Sequence, residues 1–401
     1  MQTNLPADLL ATDGGKRANE ILRSCVHCGF CNATCPTYQI TGDELDGPRG
    51  RIYLMRELLE TGENRERTTF HLDRCLTCRA CETTCPSGVA YGELAEITRN
   101  TLGVKRSGQP GRTRQFLQWL IPDAGRLRRM ARLGRLFRAL VPQNLAKNIP
   151  TKTGKAWRTP KSADKDNTLS VVLLNGCAQQ VSTPQTNIAL AQLLQSHGVN
   201  VSAAPEEGCC GSLDLHLGDE EQALNRMRHN VDVLFELAQS SDAILSSASG
   251  CGVTFKDYGR LLAHDSTYAT RAASIAAKVM DVSEFLDGLE VNWAKSRSVD
   301  RVAWQSPCTL QHGQKLDDVV GRLLQKAGYV LTPVPDSHLC CGSAGTYSIL
   351  QPQMSDQLKS NKWTALMSGN PDLVATANVG CQTHLSAGQD VDVVHWIELL
   401  K

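Results

Sequence analysis

Two runs of thiols in the first hundred residues are the part of this chain best placed to do chemistry. Cys25, Cys28, Cys31 and Cys35 are followed by Pro36, and Cys75, Cys78, Cys81 and Cys85 by Pro86, so each member of the second run lies fifty positions after its counterpart. Three cysteines at two-residue intervals let a tightly coiled loop point three sulfurs into one concavity, with backbone N–H groups turned the same way. The proline has no N–H and a fixed φ, so it stops the turn and swings the fourth cysteine elsewhere. Structural zinc prefers two C-x2-C pairs closing one tetrahedron, and a third cysteine two residues further on is surplus to that plan. The spacing therefore reads as ligation of iron–sulfur cubanes, whose chemistry is the transfer of single electrons. A zinc-stabilised scaffold is the non-redox alternative.

The run C-x2-C-x2-C-x3-C-P resembles the ligand run of bacterial ferredoxins, in which the fourth cysteine of each run serves the other cluster. That resemblance implies two [4Fe–4S] clusters, one held by Cys25, Cys28, Cys31 and Cys85, the other by Cys75, Cys78, Cys81 and Cys35. Arg49, Arg51 and Arg79 are the nearby cations available to tune them. Between the runs, Pro48 opens a segment in which Ile52, Leu54, Met55, Leu58 and Leu59 recur at helical spacing. Residues 1–104 are therefore expected to form a helical ferredoxin-like domain, similar to the module in iron–sulfur subunits of respiratory dehydrogenases.

At 401 residues the chain can build two or three cored domains, and its net charge of +1 gives no general bias toward nucleic acid. The first twenty residues lack the apolar run of a signal peptide. Unexported cysteines stay reduced, which favours metal ligation over disulfides. No stretch approaches eighteen uninterrupted apolar residues. The expected location is cytoplasmic, with association at the cytoplasmic face of the inner membrane. Residues 105–167 are a basic helical segment and linker whose only acids are Asp123, Asp164 and Asp166. Within it, Leu127, Met130, Leu133 and Phe137 fall on one helical face, with Arg126, Arg128, Arg129, Arg132, Arg135 and Arg138 around the rest. Such a helix suits an anionic membrane surface or an acidic partner; the plainer reading is a linker helix packing its stripe on its own protein. Residues 150–168 read as the domain linker.

A second duplication fills residues 168–290 and 291–401. The first unit has Cys177, the pair Cys209–Cys210 before Gly211, then Cys251; the second has Cys308, Cys340–Cys341 before Gly342, then Cys381. Thirty-two residues separate the single cysteine from the pair in both units. Strand-like stretches at 169–174, 199–204 and 243–247, and at 299–304, 329–334 and 373–377, precede the cysteines, with helical stretches at 184–197, 219–239, 317–327 and 353–367. The fold class is α/β: two βαβαβ units with mainly parallel sheets behind the helical module. Ligands of such sheets sit beyond the carboxyl ends of the strands, where all eight of these cysteines are expected. They are candidate ligands of further iron–sulfur clusters.

The Cys-Cys-Gly pairs with flanking cysteines resemble the cysteine-rich repeat of heterodisulfide reductases. The whole order is most similar to the family of glycolate oxidase iron–sulfur subunits, on the stretches CVHCGFCNATCPTYQITGDELDGPRGRIYLMRELLE, DRCLTCRACETTCPSGV, HLCCGSAGTYSIL and TANVGCQTHL. One departure is that the heterodisulfide reductase repeat closes with C-x2-C, whereas Thr254 and His384 stand at that offset here. His384 or His312 could supply an imidazole, although a lone histidine is more often structural. No G-x-G-x-x-G lies between a strand and a helix and no Walker loop is present, so no flavin or nicotinamide site is expected. The resemblance implies partner subunits that carry flavin and oxidise glycolate to glyoxylate. This chain would relay their electrons to a quinone or another membrane acceptor. Lactate or glycerol 3-phosphate is the alternative substrate of such a complex.

Overall fold

The computed structural model describes residues 1–101, 111–137 and 169–401. The expected linker at 150–168, like Arg138, lies outside the described residues. No helix among the described residues is long and apolar enough to cross a membrane.

The amino-terminal module is built from short helices around one core. Thr12 caps helix Asp13–Ser24 by accepting from the Gly15 amide at 3.0 Å, a contact of about 1 kcal/mol. That helix buries Ala18, Ile21 and Leu22. The helical insert between the cysteine runs is Pro48–Thr61 followed by Arg65–Asp73. Pro48 opens the first of these where a missing N–H does no harm, and Gly62 closes it at φ +73°. Ile52, Met55 and Leu59 meet Leu22, Leu72, Leu94 and Ala95, with Cys25 and Cys81 in the same core.

A buried charge node braces this module. Asp46 is fully buried and binds His71 Nδ1 at 2.8 Å and Arg74 Nη1 at 2.7 Å, with the Arg51 guanidinium at 3.6 Å. Arg51, itself buried, donates from Nε to the His71 carbonyl and from Nη1 to Thr37. Sequence periodicity gives no sign of such a node, because it joins three segments.

The carboxy-terminal units each form a four-stranded parallel sheet. The first contains β1 (Leu169–Leu173), β2 (Val199–Ala203), β3 (Ala243–Ser246) and β4 (Val279–Asp281), in the order β2-β1-β3-β4. The second repeats this with β5 (Arg301–Gln305), β6 (Val330–Leu331), β7 (Leu373–Thr376) and β8 (Val393–His395), in the order β6-β5-β7-β8. The three-strand expectation omits β4 and β8, which are three residues each and too short to show a period. Successive side chains of β1 point to different cores: Val171 and Leu173 into one shared by both units with Val302, Leu373, Trp396 and Leu399, and Val172 into the first unit's outer core. The two units are thus packed through a common interior.

Helices Gly111–Leu120 and Ala124–Leu136 carry the basic segment. The second buries only Ala131, and Arg128 reaches the Gln180 carbonyl. Met130, Leu133, Leu136 and Phe137 are exposed, as are Phe116 and Trp119. The apolar stripe read from the sequence is therefore turned away from the protein except at half-buried Leu127.

His395 ties the units together, donating from Nε2 to the Ser247 carbonyl at 2.8 Å while fully buried. Burial lowers its pKa to about 4. The unfolded chain, with an ordinary histidine near 6.5, takes up the proton first as pH falls. Stability is therefore retained above pH 6.5 and lost between 6.5 and 4. Urea unfolding should show about 2 kcal/mol lost through this group between pH 7 and pH 5, and a His395→Gln variant should lose that component of the pH dependence.

Candidate metal centres

Both amino-terminal runs coil by the same device. His27 and Gly29 take positive φ in the first run, Thr77 and Arg79 at the matching positions of the second. Non-glycine residues there carry strain, which accumulates where a backbone must face a ligand. Alternating hands turn successive amides into one concavity, and the Thr77 amide points at Cys75 Sγ from 3.4 Å. Gly29 has a second constraint, since a Cβ there would lie 2.5 Å from Arg49 Nη1. Short helices Phe30–Ala33 and Ala80–Thr84 follow. The two runs then meet at Thr34 and Thr84, whose hydroxyls share a 3.1 Å hydrogen bond, while Thr34 also reaches the Ala80 carbonyl.

This contact brings each fourth cysteine to the other run. Cys25, Cys28, Cys31 and Cys85 line one pocket with Pro48, Arg49 and Tyr91. Burial, then the neighbouring sulfurs of Cys25, Cys85 and Cys28, push the Cys31 thiol up to about 11. Cys28 is exposed, so this pocket meets the surface. Cys75, Cys78, Cys81 and Cys35 form the second group, more deeply enclosed, with burial and then Cys78, Cys75 and other acidic groups including Cys35 raising the Cys81 thiol. At Cys75 burial alone would raise the thiol, but the Arg51 and Arg99 guanidiniums bring it below its ordinary value. Tyr91 adds a hydroxyl at 3.6 Å from its sulfur.

In the carboxy-terminal units the cysteines gather beyond the strands' carboxyl ends. Cys177 and Cys210 both interact with Cys209, and Cys210 with Cys251. Cys209 is held well below the ordinary thiol value, chiefly by Cys177 and Cys210. In the second unit Cys308 interacts with Cys340, Cys340 with Cys341, and Cys341 donates to Cys381 Sγ at 3.3 Å. Gly342, at φ +88°, lies so close to the Ser355 carbonyl that a Cβ would approach it to 2.7 Å. Thr254 bonds the Gly250 carbonyl and His384 lies 3.3 Å from Ser355 Oγ. His312 is a strut between modules, with Nδ1 at 3.0 Å from Thr83 Oγ1 and Nε2 at 3.0 Å from the His338 carbonyl.

Several participants are not legible in the sequence. Glu207 receives the Asn175 amide at 2.6 Å and the Gly176 amide, and so shapes the turn before Cys177; burial raises its pKa to about 8. Its place two residues before Cys209 is the available signal. Tyr347 donates to the Arg74 carbonyl across the module boundary. Most consequential, Cys78 packs with Cys308 and Cys340 in one cluster with Leu76, Tyr347 and Leu358. The second amino-terminal group thereby abuts the second cysteine-rich unit.

Two observations bear on what these groups hold. A zinc tetrahedron with bonds near 2.3 Å sets sulfurs ~3.8 Å apart. Among the described residues, the one group of three or more metal-binding side chains with ligand atoms all within 4.8 Å of one another is Asp43, Asp46 and His71, so no three cysteine sulfurs converge that tightly. That arrangement does not match a closed zinc tetrahedron. Secondly, buried Arg51 Nη2 and Arg99 Nε and Nη1 have no hydrogen-bond partner among the described residues, though both guanidiniums act on Cys75. Buried guanidinium N–H groups without hydrogen-bond partners beside thiolates fit a site that carries net negative charge.

The fold and these groups define a class: an iron–sulfur electron carrier with a two-cluster amino-terminal module and two cysteine-rich units. Residues 21–89 match the family model described as a 4Fe-4S dicluster domain, and residues 171–256 and 302–386 match the one described as a cysteine-rich domain. The chain is 44% identical over 404 aligned residues to the "Glycolate oxidase iron-sulfur subunit" of Escherichia coli (strain K12), covering 100% of this chain and 98% of that one. It is 30% identical to the "Probable glycolate oxidase iron-sulfur subunit" of Bacillus subtilis (strain 168), covering 94% and 93%. A solved structure titled as a hypothetical protein from Helicobacter pylori shares the fold at a TM-score of 0.58 and 9% identity, over 96% of this chain and 71% of that one. The chain belongs to the family of glycolate oxidase iron–sulfur subunits. It carries two [4Fe–4S] clusters and transfers electrons within an oxidoreductase complex.

Replacing Arg51 tests the brace between the charge node and Cys75. Arg51→Met should cost about 3 kcal/mol in stability, because it leaves the His71 carbonyl and Asp46 short of a partner. Thermal unfolding and iron content should both fall; a variant as stable and as iron-rich as the parent would contradict the assignment.

Proposed function

We propose that Cys25, Cys28, Cys31 and Cys85 hold the cluster nearer the surface, and Cys75, Cys78, Cys81 and Cys35 the enclosed one. The two carboxy-terminal sets, Cys177, Cys209, Cys210 and Cys251, and Cys308, Cys340, Cys341 and Cys381, hold further iron–sulfur centres. Residues 1–104 form the receiving module and the units at 168–290 and 291–401 the body on which it is docked. The observation that carries this reading is the continuity of sulfur sites, from exposed Cys28 to Cys81 in the lining of the same pocket, from Cys81 to Cys78, and from Cys78 to Cys308 and Cys340.

The substrate chemistry belongs to partner subunits that carry flavin. Glycolate loses two electrons and two protons to become glyoxylate, and the flavin passes the electrons on singly. Bound clusters supply those one-electron steps. This chain's residues position the thiolates, place Arg51 and Arg99 near one set, and leave the other open at Cys28 for a donor. The acceptor is a quinone or another membrane carrier.

In the assembled complex, Cys28→Ser and Cys78→Ser should each remove one cluster, about four irons. Glycolate should still reduce the partner flavin, while electron delivery to an artificial acceptor beyond this chain stops. Undiminished delivery in both variants would end the relay reading.

The basic helices supply the contact with the cytoplasmic face of the inner membrane. Trp119, Phe116, Leu133, Leu136 and Phe137 are exposed beside exposed Arg129 and Arg132. Aromatic and aliphatic groups interleaved with arginine suit the interface of an anionic bilayer. Reversing Arg128, Arg132 and Arg135 to glutamate should shift the complex from the membrane fraction to the soluble one, and raised salt should do the same to the parent. Unchanged fractionation would make these ordinary surface helices.

A further inference from the structure

Among the described residues, the second cysteine-rich unit contains a buried cation with no counterpart in the first. Lys362 is only 3% exposed. It lies on helix Pro352–Met367, one turn beyond Leu358, which packs with Cys308 and Cys340. Its Nζ donates to the carbonyls of Asp336 at 3.1 Å and Ser337 at 3.0 Å, in the segment leading into the cysteine pair. Both of these partners are neutral dipoles, so the ammonium charge is not cancelled by them. Burial lowers the Lys362 pKa, and Cys308, Cys341, Cys340 and Cys381 act in the opposite direction, favouring the ammonium form.

In the first unit the matching segment is held by exposed His229, whose Nε2 meets the Glu206 carbonyl at 2.9 Å, and by a buried residue that is uncharged. Asn230, fully buried on helix Glu220–Gln239, ties that helix to its cysteine pair: Nδ2 donates to the Cys209 carbonyl at 2.9 Å and Oδ1 accepts from the Gly208 amide at 2.9 Å. Arg226 acts on Cys209, but its guanidinium meets Asp214 at 2.6 Å. The duplication thus provides an internal comparison, with two similar sulfur sets and a buried positive charge beside one of them.

Reduction adds negative charge to a thiolate-bound centre, and a fixed cation in a desolvated surrounding favours that state. We propose that Lys362 makes the two cysteine-rich units electrically unequal. It raises the reduction potential of the centre held by Cys308, Cys340, Cys341 and Cys381 above that of the centre held by Cys177, Cys209, Cys210 and Cys251. The inference rests on the reading that both sets hold iron–sulfur. One electron leaves the reduced cluster of Cys78 and one is gained by the neighbouring centre of the second unit, with no bond made or broken. Lys362 is a positioning residue of this transfer, acting through charge.

The test is a redox titration of the anaerobic complex followed by electron paramagnetic resonance. The second unit's signal is identified as the one lost in Cys341→Ser. Lys362→Gln, which keeps a donor for the two carbonyls but removes the charge, should leave iron content unchanged. It should make that centre at least tenfold harder to reduce at a given potential, a downward shift of about 59 mV for one electron, and Lys362→Arg should restore the parent value. An unmoved midpoint with iron retained would overturn the proposal. Should Lys362→Gln fail to assemble, Lys362→Arg against Lys362→Met gives the same comparison. A parent complex in which Cys341→Ser removes neither iron nor signal would instead overturn the underlying reading that the second unit binds a centre.

Discussion

The amino-terminal module is governed by one geometric demand: a thiol from each run must enter the concavity made by the other. Fifty residues separate equivalent positions, so the runs have to lie side by side in matching orientation. The Thr34–Thr84 hydrogen bond is where they touch, and helix Pro48–Thr61 with Arg65–Asp73 spans the distance between them. The prolines at 36 and 86 gain their meaning here. Each follows a cysteine that must leave its own loop, and Pro36 starts a helix that carries the chain away. A core of Leu22, Met55, Leu72 and Leu94 then holds both loops from behind.

Charge is distributed to suit that arrangement. The enclosed sulfur set has Arg51 and Arg99 close to Cys75, and Arg51 is in turn fixed by the buried Asp46 node. The open set has Cys28 at the surface. Docking of the module on the second cysteine-rich unit, through Tyr347, His312 and the Cys78–Cys308–Cys340 contact, converts two separate sulfur regions into a continuous one. The buried lysine of the second unit places a positive charge at the far end of that path.

Much of this is visible in the residues alone. Cysteine spacing announces both duplications because metal ligation fixes residue type and interval together, a stronger constraint than packing. Strands β1, β2, β3, β5 and β7 and the long helices are legible because buried parallel strands are apolar runs bounded by turns. The short strands β4 and β8 are not, since three residues cannot show a period. The basic helix is legible, but its exposed apolar face is not, because periodicity locates a stripe without saying what covers it. Asp46, Glu207 and Lys362 escape notice for a common reason: each acts on a segment far from its own, and a polar residue in a sequence does not declare that it is buried.

X-ray absorption at the iron edge on the anaerobically purified complex, with parallel iron and zinc counts on this subunit, speaks most directly to the central claim. The account predicts at least about eight irons per chain, an iron–sulfur shell and a second, iron–iron scattering shell. A colourless subunit with stoichiometric zinc, or metal with sulfur neighbours and no metal–metal shell, would contradict it.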